Sequence, residues 1–513
     1  MSPSEDKVLR AASKNDRRYI TRHSLGFYRA LIVAGLYTFS PDLGPGPDSS
    51  TDSTIDIDIT DINTYIPALK HSLAAHPILS TGIRGQDGEE PVFVRPGTVD
   101  LRRHIEMRDP VPATHSTGVE EIVVLQRAML QAHDRVFEDV ERVPPWKVIV
   151  LPLPRKAGCQ RAYVLFAYSH SHGDGKSGLN FHRTFLEGLR RGGRGFDCTP
   201  VYPTADLQNL PPALEDVLAE EMGRISHTDR IGEDVDGAVM QYNAGHFRTG
   251  SELLLVPRER VEGVVRVCRE KGGARLTGLL NQLVVRALSE GLPASDASCA
   301  AEDFIGTIVV DLRALVPAYT RDGMVNCVSA LYERSLRGGA DGAPVGLRED
   351  EALWALVRGT TARLAHSATT VVDQPIGLVQ YLDRFRPWFL EKIGQRRDSS
   401  YEISNAVVFD PSWQDTPGVE GNAERAWDIE RVVFSQPANA TGCPLTFSVV
   451  TRKDGELAMT LNWQVGVLGL ADENGFAQAI LRRIDASLAE IAGDMTHHES
   501  IRDISTSVRA NYP

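Results

Sequence analysis

A strongly apolar run, Ala162 to Ala167, feeds without a break into Tyr168-Ser169-His170-Ser171-His172-Gly173-Asp174-Gly175. A helix-like pattern follows, with Phe181, Phe185, Leu186 and Leu189 on one face. The order reads as buried strand, turn and packed helix. A histidine at the mouth of a buried strand, four residues before an Asp-Gly turn, stands where a general base can be mounted. The strand fixes the imidazole, and the turn lets the carboxylate fold back to hold the loop. The same residues also suit a polar loop whose histidines are merely solvated.

At 513 residues the chain exceeds the ~250–300 at which one core stops growing, so two large domains are expected. Hydrophobic residues at 42% and charged residues at 24% are those of an ordinary globular protein. The formal net charge of −13 disfavours nonspecific nucleic-acid binding, which needs clustered positive charge. No apolar signal region marks the polar start, and Tyr28 to Phe39 is shorter than the ~20 residues that span a bilayer. Six cysteines (Cys159, Cys198, Cys268, Cys299, Cys327 and Cys443) lie far apart without a Cys-x-x-Cys pair. They read as buried, inert thiols in a reducing cytosol.

The first fifteen or so residues have the composition of a tail, and Pro41 to Ser53 that of a surface loop. Ile55 to Thr60 alternates strictly and predicts a strand with its aspartates in water. Trp146 to Leu153 and Ala162 to Tyr168 are strand-like runs that form a hairpin or neighbouring strands, delivering His170 to the middle of the molecule. The Gly-, Pro- and Arg-rich stretch Arg190 to Pro212 suggests the end of the first domain. Beyond it come a strand at Glu252 to Val256, a helix opened by Pro257 and closed by Gly272, and a helix at Leu276 to Leu288. Arg337 to Glu349 reads as a loop. Phe447 to Thr451 and Leu457 to Gln464 flank a Lys453-Asp454-Gly455 turn, and an amphipathic helix covers about Ala471 to Ala492. Strands and helices mix without regular βαβ alternation.

Several familiar chemistries fail on inspection. Gly173-Asp-Gly-Lys176-Ser177 resembles the tail of a phosphate-binding loop, but the position of its first glycine is His170, whose Cβ obstructs the backbone cradle. There is no Gly-x-Ser-x-Gly elbow and no His-Glu-x-x-His. His170 and His172 lack an evident third ligand, so no metal is expected.

Taken together, the residues resemble the fungal alcohol acetyltransferases, within the chloramphenicol-acetyltransferase-like group that includes the plant BAHD acyltransferases and peptide-synthetase condensation domains. The resemblance rests on Arg22-His-Ser-Leu25-Gly26-Phe27-Tyr28 with Val33-Ala-Gly-Leu-Tyr37, then on Leu73-Ala-Ala-His76-Pro77-Ile78-Leu79. Pro144-Pro145-Trp146 precedes the His-x-x-x-Asp-Gly strand, and Val310-Asp311-Leu312-Arg313 is followed by Met324-Val-Asn326-Cys-Val-Ser329. Ile403-Ser404-Asn405, Phe434-Ser435-Gln436 and Asn462-Trp463-Gln464 are similar to the family's C-terminal landmarks. The plant Asp-Phe-Gly-Trp-Gly motif is missing; Trp463-Gln464-Val-Gly466 occupies the comparable region.

The resemblance implies an α/β, two-domain CoA-dependent acyltransferase fold of mixed sheets with helices and an active-site tunnel between the halves. Residues 1–215 would form the half carrying the motif and 216–513 the second half. His170 would be the general base, with Asp174 a structural partner of the strand arginine, matched by Arg313, and Gly175 completing the motif. Ser404, Asn405 and Gln436 would be oxyanion or substrate candidates, while His172 and His182 match no family role. Acetyl-CoA would be the co-substrate, without a metal, and the acceptor a small-molecule alcohol such as a sesquiterpenoid of trichothecene type. A cytoplasmic monomer without nucleic-acid partners or a transmembrane segment is expected. Two alternatives stay open: a condensation-like enzyme using a carrier-protein thioester, and a catalytically silent binding protein of the same fold.

Overall fold

The computed structural model describes residues 6–40, 57–112, 118–191, 197–222, 245, 247–292, 303–320, 322–337, 346–412 and 426–494. Among these, two large mixed sheets and the helices packed on them make up most of the mass.

The five-stranded sheet is built around the apolar runs noted above. Strand Trp146–Lys156 turns through Ala157 and Gly158, both at positive φ, into strand Cys159–Ser169. The two pair antiparallel in the register Trp146↔Tyr168. Strand Ala30–Phe39, buried along its whole length, flanks the second of them, with Ala30 opposite Ser169. Burial on both faces explains why these strands read as continuous apolar runs rather than as alternating ones. The outer strand on that side comes from far along the chain: Trp427–Ser435 pairs antiparallel with Ala30–Phe39, setting Phe434 opposite Val33. Helix Gly175–Arg191 packs its Phe181, Phe185 and Leu189 stripe into the same core.

The six-stranded sheet runs in the order Thr249–Val256, Leu457–Gln464, Leu445–Arg452, Tyr401–Phe409, Asp303–Asp311, Val328–Leu336. Tyr401–Phe409 is parallel to both its neighbours, while the remaining pairs are antiparallel. Helices Arg258–Glu270, Leu276–Gly291, Glu351–Ser367 and Glu473–Ala492 share a second core with it.

Several expectations change. From residue 6 onward the stretch expected to be a tail is structured: strand Lys7–Ala11 pairs with Val92–Arg95, and a Ser13/Asp16 capping box starts helix Lys14–Ser24. Of the alternating stretch Ile55 to Thr60, residues 57–60 are described and form no strand. The Asp58 carboxylate accepts from both the N–H and the hydroxyl of Thr60, and this local turn displaces sheet pairing. Cys198 is exposed and Cys159 half-buried, whereas Cys268, Cys327 and Cys443 are buried. Arg313 lies just past its strand, in a 3₁₀ turn at Arg313–Leu315. Pro41 to Ser53, Cys299 and most of Arg337 to Glu349 fall outside the described residues.

Candidate active site

At the end of strand Cys159–Ser169 the chain tightens into a 3₁₀ turn, His170–His172, with Ser169 Oγ accepting from the Ser171 N–H. Helix Gly175–Arg191 starts three residues later. A Cβ on Gly175 would lie 2.5 Å from the Phe434 ring, so the motif's last glycine lets the crossover strand press against the helix start.

Asp174 is turned inward. Its Oδ1 accepts from Arg313 Nη2 at 2.7 Å, from the Ser177 N–H at 3.0 Å and from Ser177 Oγ at 3.1 Å; Oδ2 accepts from the Cys327 N–H at 3.1 Å. Burial alone would raise this carboxyl's pKa, but Arg313 and the backbone donors outweigh it and hold it below the usual carboxylate range. Arg313 is also clamped by Asp311 at 3.0 Å and by the Val325 carbonyl at 2.9 Å, with its side chain 3% exposed. These contacts tie the Asp174 loop to the Arg313 turn, to Ser177 and to the Cys327 backbone.

His170 faces a cavity of about 470 Å³ lined from both ends of the sequence, including Tyr19, Tyr28, Glu402, Ser404 and Gln436. Its ring stacks on Tyr19, with centroids 3.9 Å apart and planes 11° off parallel, and Tyr28 covers it at 5.6 Å. The Nδ1 atom lies 3.0 Å from Asn326 Oδ1, while Asn326 Nδ2 donates to the His170 carbonyl at 2.7 Å. That carbonyl can only accept, so it fixes which end of the amide is nitrogen. The Asn326 oxygen must then accept a proton from Nδ1, which leaves the lone pair on Nε2. Burial, helped by the positive charge of Arg22, pushes the imidazole pKa down to about 4, so the ring is neutral at physiological pH.

The remaining candidates divide. Gln436 is engaged at both ends: its oxygen accepts from Tyr28 OH at 2.6 Å, and its nitrogen donates to Glu402 at 2.9 Å. Asn405 donates to Thr277 at 3.0 Å and accepts from the Val407 N–H at 2.8 Å, bridging a bulge in its strand. Ser404 lines the cavity, and among the described residues its hydroxyl has no partner. His172 and His182 are core residues, held by the Thr81 and Val33 carbonyls respectively. No group of three metal-binding side chains occurs among the described residues, nor is any of their helices long and apolar enough to cross a membrane.

Sequence reasoning gave no role to Asn326, Tyr19, Tyr28 or Glu402. Asn326 and Tyr28 stand inside quoted landmark segments, which was the one available signal. Nothing in the pattern marked Tyr19 or Glu402.

Comparison with known proteins bears on this geometry. The family model for alcohol acetyltransferase matches residues 119–198, which contain the His170 loop. The probable alcohol acetyltransferase FCK4 of Fusarium pseudograminearum is 22% identical over 489 residues, covering 90% of this chain and 91% of that protein. The probable alcohol acetyltransferase crmB of Aspergillus fumigatus is 23% identical, covering 89% and 94%. Among solved structures, TRI3 trichothecene 15-O-acetyltransferase from Fusarium sporotrichioides superposes with a TM-score of 0.64 at 13% identity, covering 93% of this chain and 94% of that one. The mixed α/β fold is thus that of the BAHD- and chloramphenicol-acetyltransferase-like proteins, and the chain is an enzyme of the CoA-dependent acyltransferase class. Within that class it is similar to the fungal alcohol acetyltransferases, whose family model matches the segment carrying the His170 loop.

Proposed function

We propose that this enzyme moves an acetyl group from acetyl-CoA to a hydroxyl of a fungal secondary metabolite, with His170 as the general base. The observation that carries the reading is a neutral imidazole on the cavity wall whose Nδ1 is engaged by Asn326 and whose Nε2 has no partner among the described residues. CoA-dependent acetyl transfer to an alcohol is the general activity; a sesquiterpenoid acceptor of trichothecene type is the finer reading, supported by the likeness to TRI3.

An alcohol is too weak an acid to attack a thioester unaided. As its oxygen bonds to the acetyl carbonyl carbon, Nε2 of His170 takes the hydroxyl proton, and the carbonyl electrons move onto oxygen. Ser404 is the candidate donor to that oxyanion. Collapse re-forms the carbonyl, breaks the carbon–sulfur bond and releases the CoA thiolate, which recovers the proton from the imidazolium. Positioned proton transfer of this kind contributes ~10²–10⁴-fold, and an oxyanion donor ~10²–10³-fold. Asp174 and Arg313 hold the loop and do not touch the reactants. The reading further takes residues 1–215 and 216–513 as two halves flanking a tunnel, in a cytoplasmic monomer.

The test is release of CoA thiol from free acetyl-CoA with a panel of alcohols, products being read by mass spectrometry. The parent is expected to turn over and His170→Ala to be folded but inactive. Near-normal turnover by that variant removes His170 from the mechanism. Turnover only with a carrier-bound thioester would favour the condensation-like alternative.

A further inference from the structure

The charges around the cavity do not all cancel. Arg313 pairs with Asp174 and Asp311, Lys176 with Asp311 at 2.7 Å, and Lys392 with Asp398 at 3.1 Å. Arg18, Arg22 and Glu402 also line the wall, and among the described residues none of them joins an ion pair. Arg18 and Arg22 are one turn apart on helix Lys14–Ser24, so both guanidiniums share a face. Arg18 lies over the Tyr19 ring at 5.2 Å and makes no hydrogen bond among the described residues. Arg22, 7% exposed, lies over Tyr28 at 4.3 Å and donates to Asn439 at 2.8 Å, while its Nε is buried without a partner. Opposite them, Glu402 is bonded by Gln436.

Two like charges held side by side, Arg22 buried and Arg18 half-buried, each over an aromatic ring, are unfavourable until an anion joins them. Glu402 offsets one positive charge only in part, because it stands beyond ion-pair distance. One unit of positive charge is left over, and a singly charged oxyanion would neutralise the set. The fork geometry of guanidinium suits a planar, two-oxygen anion. The pair also adjoins the reacting centre, since Tyr19, between Arg18 and Arg22 in sequence, stacks on His170. The phosphates of CoA, by contrast, are separated from its sulfur by the whole pantetheine arm. The rest of the wall includes Val309, Ile376, Val379 and Phe389, which suit an apolar body.

Resting on the acyl-transfer reading, we propose that Arg18 and Arg22 form an anion subsite for a carboxylate on the acyl acceptor, so that the preferred acceptor is an amphipathic hydroxy acid. An anion there also removes the repulsion the two guanidiniums exert on an imidazolium at His170, which assists the base at the moment the acceptor is seated.

The experiment compares 10-hydroxydecanoic acid with its methyl ester, by calorimetric binding and by CoA thiol release, in the parent and in Arg18→Gln. Loss of a charge-assisted hydrogen bond corresponds to about 10-fold or more in affinity. The expected result is acid bound at least about 10-fold tighter than ester by the parent, with that preference largely lost in Arg18→Gln. Equal binding of acid and ester by the parent overturns the proposal. So does a variant that keeps the acid preference while its affinity for CoA falls, because the pair would then hold a CoA phosphate. Acid preference without thiol release from any acceptor would leave the anion subsite standing and sink the acyl-transfer reading instead.

Discussion

At the scale of single residues, the feature with most chemical consequence is the Asn326 amide. It reads the backbone carbonyl of His170 with one end and sets the tautomer of the same residue's ring with the other. Asn326→Ala removes the acceptor at Nδ1, so both tautomers become populated and part of the ring presents N–H rather than a lone pair to the cavity. One such hydrogen bond, of about 1–1.5 kcal/mol, corresponds to about 10-fold in rate. The expected outcome is a fall in kcat of that size with KM for acetyl-CoA little changed; a change confined to KM would contradict the tautomer argument. His170 and Asp174 were legible in sequence because strand, turn and helix signals meet within a few residues. Asn326 was not, because its partnership spans 156 positions and no local period records it. Tyr19 and Glu402 were hidden for the same reason: a helix face and a strand face acquire meaning only when the fold sets them around one cavity.

At the scale of elements, the question is what joins the start of helix Gly175–Arg191 to the turn at Arg313–Leu315. The joint is the Asp174–Arg313 pair, whose side chains are 2% and 3% exposed. Removing either partner strands a buried charge, which costs about 3–5 kcal/mol. Asp174→Ala and Arg313→Ala are each expected to lower Tm markedly and to lose activity with it. The double variant should be destabilised by less than the sum, since the second change removes a charge the first left unpaired. Single variants that melt like the parent would show that the pair does not hold the loop. Strands of this kind were readable wherever burial on both faces made a continuous apolar run. What local sequence does not reveal is that Trp427–Ser435, far along the chain, edges the sheet built from Ala30–Phe39, Cys159–Ser169 and Trp146–Lys156. The alternation at Ile55 to Thr60 misled for a different reason, since a carboxylate-capped turn satisfies the same backbone groups that a strand would pair.

At the scale of the whole molecule, the same burial that keeps His170 neutral acts on other histidines. Desolvation pushes the pKa values of His23, His76, His104, His133, His170, His172 and His182 down to about 4. In the unfolded chain each would take up a proton near its ordinary value of about 6.5. Between those two values the unfolded state binds more protons than the folded state, so stability falls as the pH falls. Each histidine contributes up to about 1.4 kcal/mol per pH unit across the window. Asp134, Glu215 and Glu402 act in the opposite direction, since burial raises their pKa values and they take up protons on folding. With fewer such groups, starting from a lower ordinary value, they offset only the acid end of the window. Denaturant or thermal unfolding followed from pH 7 to pH 4.5 is expected to show stability declining steeply below about 6.5, with net proton uptake on unfolding by calorimetry. A flat or rising profile over that range would mean the buried imidazoles charge as readily inside the fold as in water, and the neutral base at His170 would lose its physical footing.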